Sequence, residues 1–462
     1  MRDKIIGLGL AVLLLGGCTM IPKYHRPEAP VPASLPGGRD ATAGSPAAAE
    51  LAWQAFFTDP GLRDVIQLAL VNNRDLRIAA LNVEKMRSLY RIQRSSLYPG
   101  VAAAAGLDKY RVPEQVSPTG TAYTVEQDSA LGTASWEIDL FGRLRSLKAR
   151  ALNQFLASVE GRRAAQISLV AAVADAYLLL AADHEALELA QATLETQKAS
   201  YELIRQSREA GIASDLTLRQ SQSQVEAARV DVAFYTGQAA TDKNFLDLLA
   251  GTPVPDGLRP ERLAAIAELK DISAGLDSGI LLQRPDILAA EYQLKSANAN
   301  IGAARAALFP RISLTGALGS LAPALAHLFE AGTGYWSYSP QVTQPIFAGG
   351  SLRANLRGAK VDRDIAVALY EQAIQVAFRE VSDAVILRST LADQLSAQEA
   401  LVKALDESYR LSEARFKNGI DSYLGVLVTQ RSLYDAQRGL VGTRLARRAN
   451  QVALFKVLGG GL

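Results

Sequence analysis

Residues that commonly carry catalysis or bind metals are scarce in this sequence. Its 462 residues include one cysteine and three histidines. The histidines, His25, His184 and His327, lack metal-ligand spacing, and we find no phosphate-binding glycine loop, nucleophile elbow or zinc-binding helix motif. A single cysteine also excludes an intrachain disulfide. We therefore expect no catalytic residues, no resident metal and no cofactor, which argues against an enzyme.

Net charge is equally low. The chain has 49 basic and 47 acidic residues, a net charge of +2, so it offers no electrostatic surplus for nucleic acid. Hydrophobic residues make up 49% of the chain and charged residues 21%, a composition that argues against disorder. We expect a folded chain with a large core and no nucleic-acid partner.

Long hydrophobic runs are missing beyond the N-terminus. Arg2 and Lys4 precede an apolar run at residues 5–17, which is thirteen residues long. That run is too short to span a bilayer, and no later stretch reaches eighteen apolar residues, so no transmembrane helix is predicted. The pattern is typical of a signal peptide over residues 1–17 and predicts an exported protein.

Cys18 directly follows Leu-Gly-Gly at residues 15–17. This arrangement resembles the bacterial lipoprotein signal, in which the cysteine becomes the N-terminus and is acylated, for example with palmitate. In this signal, an aspartate directly after the cysteine tends to retain the lipoprotein at the inner membrane. Thr19 occupies that position here, which favours delivery to the outer membrane. Several acyl chains anchor firmly because each buried methylene contributes about 0.8 kcal/mol. We predict lipid attachment at Cys18, followed by a proline-rich leader over residues 18–50.

Glycine and proline are absent from residues 359–418. A straight helix of sixty residues would be about 90 Å long, far beyond the three turns of an average globular helix. Its apolar residues lie on two seven-residue ladders, interrupted only by Arg388 and Gln398. The ladders are Ile374, Val381, Leu395, Val402, Tyr409 and Phe416, and Tyr370, Ala377, Ala384, Leu391 and Leu405. This spacing predicts a coiled coil with equally long neighbouring helices.

The chain is an internal duplication. Landmarks recur 211 residues later near the start of each copy, and 208 residues later near its end. The first set is Asp75, Ala79, Leu97 and Pro99, which match Asp286, Ala290, Leu308 and Pro310; the second is Tyr201, Gly211, Ser214 and Gln222, which match Tyr409, Gly419, Ser422 and Gln430. We predict two repeats, at residues 51–260 and 261–462.

Each repeat contains a segment with a period of two residues. Apolar residues such as Trp136 alternate with polar ones before the first long helix, and Trp336 and Tyr338 do the same in the second repeat. We predict hairpins at residues 100–140 and 311–346. Alternation of this kind fits a soluble, half-buried sheet as well as membrane strands of about 9 to 11 residues. The predicted outer-membrane location and the very long helices favour membrane strands, and four strands cannot close a membrane barrel without further chains.

Several longer motifs resemble one family. They are residues 136–143 (WEIDLFGR), 284–287 (RPDI), 297–305 (ANANIGAAR), 309–316 (FPRISLTG), 345–347 (PIF) and 458–461 (LGGG). In this order they closely resemble the TolC-like outer membrane factors, specifically the OprM-like efflux lipoprotein branch. The resemblance covers essentially the whole mature chain.

This resemblance implies an α+β membrane protein that forms a homotrimer. Each chain would give four transmembrane strands to a twelve-stranded β-barrel, and its long helices, at residues 141–250 and 347–456, to a coiled-coil α-barrel in the periplasm. The family forms the outer-membrane channel of tripartite efflux systems. A periplasmic adaptor protein and an inner-membrane transporter would be the partners, with outer-membrane lipid around the strands.

The resemblance also implies a gate near the second break between the long helices. The family's constricting leucine is matched by Leu424, and its arginines by Arg431 and Arg415, but its acid is replaced by Val428. Positions 424, 428 and 431 share one helix face, so we expect closure by apolar packing. Alternatively, Arg431 forms an exposed pair with Asp435 worth roughly 0.3–0.5 kcal/mol.

Two Gly-containing breaks are predicted to form the tips that contact the adaptor. The residues concerned are Gly211 and Ser214 in the first break, and Gly419 and Ser422 in the second. The sequence leaves the cargo open, from drugs to other small toxic compounds. An alternative function is a lipid-anchored coiled-coil spacer of the envelope without a channel. Glu137 and Asp139 would face the lumen and favour cations.

Overall fold

The computed structural model describes residues 19–35, 51–272 and 278–460. The predicted signal peptide and Cys18 lie outside these residues. The described chain forms two compact units. The first contains residues 19–28, 82–159 and 289–371, and the second contains the remaining described residues.

Helices and strands repeat in the same order in the two halves of the chain. The first half contains α1 (Trp53–Phe56), α2 (Pro60–Asn72), α3 (Arg74–Ser95), β1 (Gly100–Val112), β2 (Tyr123–Ile138), α4 (Arg143–Glu209) and α5 (Asp215–Ala250). The second contains α6 (Pro285–Ala306), β3 (Arg311–Ala322), β4 (Gly334–Thr343), α7 (Ser351–Lys417) and α8 (Tyr423–Val457). Helices α4 and α7 each have 67 residues, and α3 and α6 each have 22. These equal lengths confirm the internal duplication.

The four strands of the first unit form one antiparallel sheet in the order β1-β2-β3-β4. Trp136 lies opposite Leu314, and Leu318 lies opposite Trp336, so these side chains share a face. That face is exposed, since Leu318 and Trp336 retain 72% and 75% of their accessible surface. An exposed apolar face is what lipid-facing barrel strands require. Strands β1 and β4 are the sheet edges within the described chain, and closure therefore needs neighbouring chains.

The leader binds along one face of α6 in the first unit. Arg305 donates to the carbonyl of Met20 (3.3 Å), and Asn298 donates to that of Pro22 (2.9 Å). Nearer the start of α6, Glu291 accepts hydrogen bonds from Tyr24 (3.0 Å) and Arg26 (2.6 Å). Residue numbers fall along α6 as they rise along the leader, so the two segments are antiparallel. Asn298 and Arg305 of the 297–305 motif therefore hold the leader.

Glu291 is the centre of this attachment. Its side chain is almost fully buried, and it also pairs with Lys295 at 2.9 Å. Burial alone would raise the pKa of Glu291, but hydrogen bonds from Arg26, Lys295 and Tyr24 outweigh it and hold the pKa below its ordinary value. The carboxylate is therefore charged when the leader is bound.

The core of the second unit contains an aromatic cluster. Phe56 stacks on Phe455 with ring centroids 4.2 Å apart, and Phe57 packs edge-on against both. At the end of α8, the Val457 carbonyl accepts a hydrogen bond from Arg284 (2.9 Å), which lies 173 residues earlier in the sequence. The same guanidinium pairs with Asp286 and Glu380. A paired arginine therefore satisfies an otherwise free carbonyl at the C-terminal end of α8.

The predicted ladder on α7 is its packed face. Ile374, Ala377 and Val381 are at most 1% exposed. Both interruptions have specific partners: Arg388 binds Asp271 and the Ile272 carbonyl, and Gln398 donates to the Ala436 carbonyl of α8 at 2.8 Å. The polar breaks in the ladder therefore tie α7 to its neighbours.

Helix α4 contains one stretch that is long and apolar enough to cross a membrane by composition alone. Most of that stretch is buried inside the chain. Val173, Ala174, Leu178 and Ala181 have no exposed surface at all. We therefore interpret it as the core segment of a packed helix.

Candidate gate and helix tips

The first tip, between α4 and α5, is a tight turn centred on Gly211. Gly211 has φ 74°, a left-handed conformation that glycine adopts without a β-carbon penalty. Ile212 N–H donates to the Ser207 carbonyl (2.9 Å) and Gly211 N–H to that of Arg208 (3.0 Å), the double hydrogen bond of a Schellman motif. The hydroxyl of Ser214 then caps α5 by accepting from the Thr217 N–H at 3.2 Å.

The second tip, between α7 and α8, repeats this turn. Gly419 has φ 71°, and Ile420 N–H donates to the Arg415 carbonyl at 3.0 Å. Gly419 N–H donates to the carbonyl of Phe416 at 2.9 Å. Ser422 occupies the N-cap position of α8, but its hydroxyl makes no capping hydrogen bond. The four predicted tip residues therefore lie in equivalent turns, which differ in that Ser214 caps the following helix and Ser422 does not.

An Arg–Asp pair crosses each turn. Arg208 donates to Asp215 at 2.9 Å across the first tip. Across the second, Arg415 binds both carboxylate oxygens of Asp421, at 2.5 and 3.1 Å, and lowers the pKa of that carboxyl. We did not predict these pairs. The sequence does contain a pattern that indicates them: in each turn an Arg and an Asp lie six or seven residues apart, with the glycine between them. Arg415, predicted as a gate residue, therefore lies in the turn and is already paired.

The two tips share one apolar cluster. Ile204 of α4 packs with Tyr423, Val426 and Leu427 of α8, all of them buried. Ala213, Leu218, Tyr409 and Phe416 pack around this cluster, and the Phe416 and Tyr423 rings are 5.2 Å apart. Position and orientation of α8 are therefore set from within the chain by apolar contacts at both tips.

The other three predicted gate residues lie on the adjoining, exposed face of α8. Leu424 and Val428 are 52% and 58% exposed, and Arg431 is exposed as well. Within the described part of the chain, Arg431 makes no ion pair, so the alternative pair with Asp435 is wrong. The structure therefore brings Leu424, Val428 and Arg431 together on one free face and leaves Arg415 apart from them.

A polar groove lies beside Arg431, between α4, α5 and α8. It has a volume of about 410 Å³, and its walls include Gln197, Asp231, Gln430 and Arg431. The side-chain oxygens of Gln197 and Gln430 are buried without a partner among the described residues. Such oxygens require water or another donor. The apolar cluster of the tips therefore gives way to a polar seam along α8.

The carboxylates at the end of β2 are not free. Arg143 and Arg311 both bind Glu137, at 2.8 and 2.7 Å. Asp139 accepts from the backbone N–H groups of Leu144 (3.1 Å) and Arg145 (2.9 Å) at the start of α4. Paired arginines and a helix N-terminus neutralise Glu137 and Asp139, which argues against the expected preference for cations.

The sequence profile of the outer membrane efflux proteins matches residues 65–252 and 277–460. This chain belongs to that family. TtgC of Pseudomonas putida, a probable efflux pump outer membrane protein, is 48% identical over 466 residues, which cover 100% of this chain and 96% of TtgC. OprJ of Pseudomonas aeruginosa, an outer membrane protein, is 41% identical over 472 residues, which cover 100% of this chain and 97% of OprJ.

Solved structures agree with this membership. The open state of the Neisseria gonorrhoeae MtrE outer membrane channel superposes with a TM-score of 0.87 at 37% identity, covering 96% of this chain and 98% of MtrE. The Campylobacter jejuni CmeC outer membrane channel superposes with a TM-score of 0.88 at 25% identity, covering 96% of this chain and 95% of CmeC.

Membership confirms the main sequence-based predictions. The chain is an outer-membrane efflux protein with the α+β fold of these trimeric channels, and it contributes long helices and four strands. It works with a periplasmic adaptor and an inner-membrane transporter. The alternative of a spacer without a channel is not supported.

Proposed function

We propose that this protein is a passive exit duct that catalyses no reaction and opens at its periplasmic end when the adaptor and the transporter engage it. The transporter supplies the energy. One relative is named an antibiotic efflux pump outer membrane protein and another a toluene efflux pump outer membrane protein. We infer a similar cargo of drugs or other small toxic compounds.

The proposed gate is supported by the difference in burial between two faces of the first turns of α8. Tyr423, Val426 and Leu427 fix one side in the apolar cluster, whereas Leu424 and Val428 leave the other side exposed. Exposed apolar side chains next to each other favour association with an apolar surface. In the trimer, the equivalent faces of three chains supply that surface and close the duct.

The chemistry of this face favours a gate held by apolar contacts. Leu424 and Val428 carry no charge, and Arg431 adds a cation without an ion-pair partner in the described residues. None of these three residues supplies a carboxylate, and the next acid along this side of α8 is Asp435, one turn after Arg431. Opening therefore requires separation of apolar side chains, with the repulsion between arginines assisting it.

The proposed adaptor contacts at the tips are supported by exposure. Ile212 and Ile420, next to the two left-handed glycines, are 83% and 62% exposed. Gly211 and Gly419 have no other atom near the position of an added β-carbon. Two exposed, apolar turns of equal geometry provide a docking surface for a helical partner, and Ser214 and Ser422 flank it.

Lipid attachment at Cys18 is supported by the docked leader. Arg305 holds Met20 near the end of α6, and Arg311 starts β3 only six residues later. A lipid two residues before Met20 would therefore enter the membrane beside the strands. We propose Cys18 as the acylated residue.

The exit-duct function can be tested in bacteria that lack their own outer-membrane efflux channels. The full chain is expressed with a cognate adaptor and transporter, and accumulation of a fluorescent dye is measured. We expect accumulation to fall only when all three proteins are present. Accumulation that stays high although trimers reach the outer membrane would contradict the proposal.

A further inference from the structure

An aromatic contact joins the two repeats where the sheet meets the helices of the first unit. Phe141 follows β2 and Phe309 precedes β3, so the pair lies at the junction between the two copies. Their rings stack with centroids 4.9 Å apart and planes inclined by 24°. Because β2 pairs with β3 in antiparallel fashion, the end of one strand lies beside the start of the other. The contact therefore belongs to the seam between β2 and β3.

The same backbone turn presents an aromatic residue before the first strand of each copy. Tyr98 N–H donates to the Ser95 carbonyl at 2.9 Å, and Phe309 N–H donates to that of Ala306 at 3.1 Å. The two turns are 211 residues apart, and a proline follows each aromatic residue. Tyr98 is therefore the structural counterpart of Phe309.

A side chain from the end of the returning strand fixes the turn in both copies. The carbonyl of Leu97 accepts a hydrogen bond from the indole of Trp136 at 3.0 Å. The carbonyl of Leu308 accepts one from the amide of Gln344 at 3.2 Å. The residues just before Tyr98 and Phe309 are thus held in the same way, although the donors differ.

Phe347 is the counterpart of Phe141, 206 residues later. It lies between β4 and α7, as Phe141 lies between β2 and α4. Three residues separate it from the helix, where one residue does so after Phe141. Phe347 is 91% exposed, and Tyr98 is exposed as well. The second copy of the aromatic pair is therefore divided between the start of β1 and the end of β4.

These two positions lie at opposite edges of the sheet, because its order is β1-β2-β3-β4. Within one chain, the first copy meets the second across β2 and β3. In a closed ring of identical chains, the second copy of one chain meets the first copy of the next across β4 and β1. That junction places the end of β4 beside the start of the neighbouring β1.

We propose that Phe347 of one chain stacks on Tyr98 of the next chain, as Phe141 stacks on Phe309 within the chain. Burial of two exposed aromatic rings against each other favours this association. Arg311, which binds Glu137 at the junction within the chain, has Gly100 as its counterpart, so that ion pair does not recur between chains. The proposal specifies which residues meet, beyond the trimeric state itself.

The first test is cross-linking of the full chain in outer membranes with a short thiol-specific bismaleimide. The test variant is Tyr98→Cys/Phe347→Cys. The matched control is Phe141→Cys/Phe309→Cys, whose aromatic side chains stack within one chain. The single variants Tyr98→Cys and Phe347→Cys report any product that involves Cys18. Products are separated on denaturing gels, and the joined peptides are identified by mass spectrometry.

We expect covalent dimers and trimers from Tyr98→Cys/Phe347→Cys and none from either single variant. Phe141→Cys/Phe309→Cys should give internally joined single chains. Single chains alone from the test variant, in membranes where the control pair is joined, would overturn the proposal. So would a peptide that joins Tyr98→Cys to Phe347→Cys within one chain.

A second measurement uses alanine variants and needs no cross-link. Phe347→Ala and Tyr98→Ala should each lower the temperature at which the trimer dissociates in SDS by several degrees. The double variant should lower it no further than the more damaging single change. Phe329→Ala, which removes an exposed ring from the β3–β4 loop, is the control and should leave it unchanged. Additive losses, or no loss from Phe347→Ala, would overturn the proposal, whatever the outcome for efflux.

Discussion

The backbone at Asn72 approaches Gly251 so closely that a β-carbon at position 251 would lie 2.4 Å from the Asn72 carbonyl oxygen. Gly251 also ends α5 with φ 72°. Its counterpart in the second repeat, Gly459, has φ 79°, but the nearest atom to an added β-carbon is 3.8 Å away, in Arg284. The two glycines therefore share a conformation and differ in the space around them.

Gly251→Ala should consequently destabilise the protein more than Gly459→Ala. Both variants incur about 1–2 kcal/mol for a left-handed alanine, but only the first adds a clash with backbone. Apparent unfolding temperatures of the purified trimers in detergent provide the measurement. Equal losses in the two variants would show that the close approach of Asn72 does not matter.

Bulky residues at the tips should abolish efflux without loss of trimers. We expect this for Gly211→Trp and Gly419→Trp, because both positions are open and a large side chain would cover the docking surface. Dye accumulation in cells and trimer content of the membranes are measured together. Asparagine tolerates the same left-handed conformation, so Gly211→Asn and Gly419→Asn are the controls and should retain efflux. Loss of trimers in the tryptophan variants would contradict the assignment of the tips.

The Arg415 and Asp421 pair should keep the second tip ordered at neutral pH. Because the pKa of Asp421 is lowered in the folded chain, the pair contributes above the unfolded pKa and is lost as pH falls through the folded pKa. Asp421→Asn should make proteolytic cleavage at this tip faster at pH 7. The double variant Arg415→Ala/Asp421→Asn should be cleaved little faster than Asp421→Asn alone. Additive effects of the two substitutions would show that the residues act separately.

Glu291→Gln should release the leader from α6. The change removes the negative charge that accepts from Arg26 and Tyr24, and charge-assisted hydrogen bonds of this kind contribute about 1.5–3 kcal/mol. Hydrogen exchange of residues 19–26 is the measurement, and Glu84→Gln, which changes an exposed acid that pairs with Arg87, is the control. Unchanged protection of the leader would contradict this role of Glu291.

Periodicity was sufficient to predict the long helices, the hairpins and the internal duplication of this chain. The seven-residue ladder on α7 and the duplicated landmarks are defined by the spacing of residues along the chain. Folding does not change that spacing, so it can be read from the sequence. Long-range partners do not follow from spacing. Arg388 and Gln398 interrupt the ladder, yet they bind Asp271 and the Ala436 carbonyl, which lie far away in sequence.

The partners of charged side chains did not follow from the sequence. Glu137 was expected to face the lumen and favour cations, but Arg311, 174 residues away, binds it across the sheet. Arg431 was weighed as the partner of Asp435 one turn later, but the structure does not form this pair. The partner of a long charged side chain depends on tertiary contacts that helix spacing does not contain.

Single-channel conductance in a planar bilayer tests most directly whether the exposed face of α8 closes the duct. The protein is compared with Leu424→Ala/Arg431→Ala and with Leu203→Ala, which removes an exposed leucine of α4 away from this face. We predict small, mostly closed currents for the unmodified protein and for Leu203→Ala, and larger, longer openings for the double variant. Equal currents from all three trimers would contradict a gate at Leu424, Val428 and Arg431.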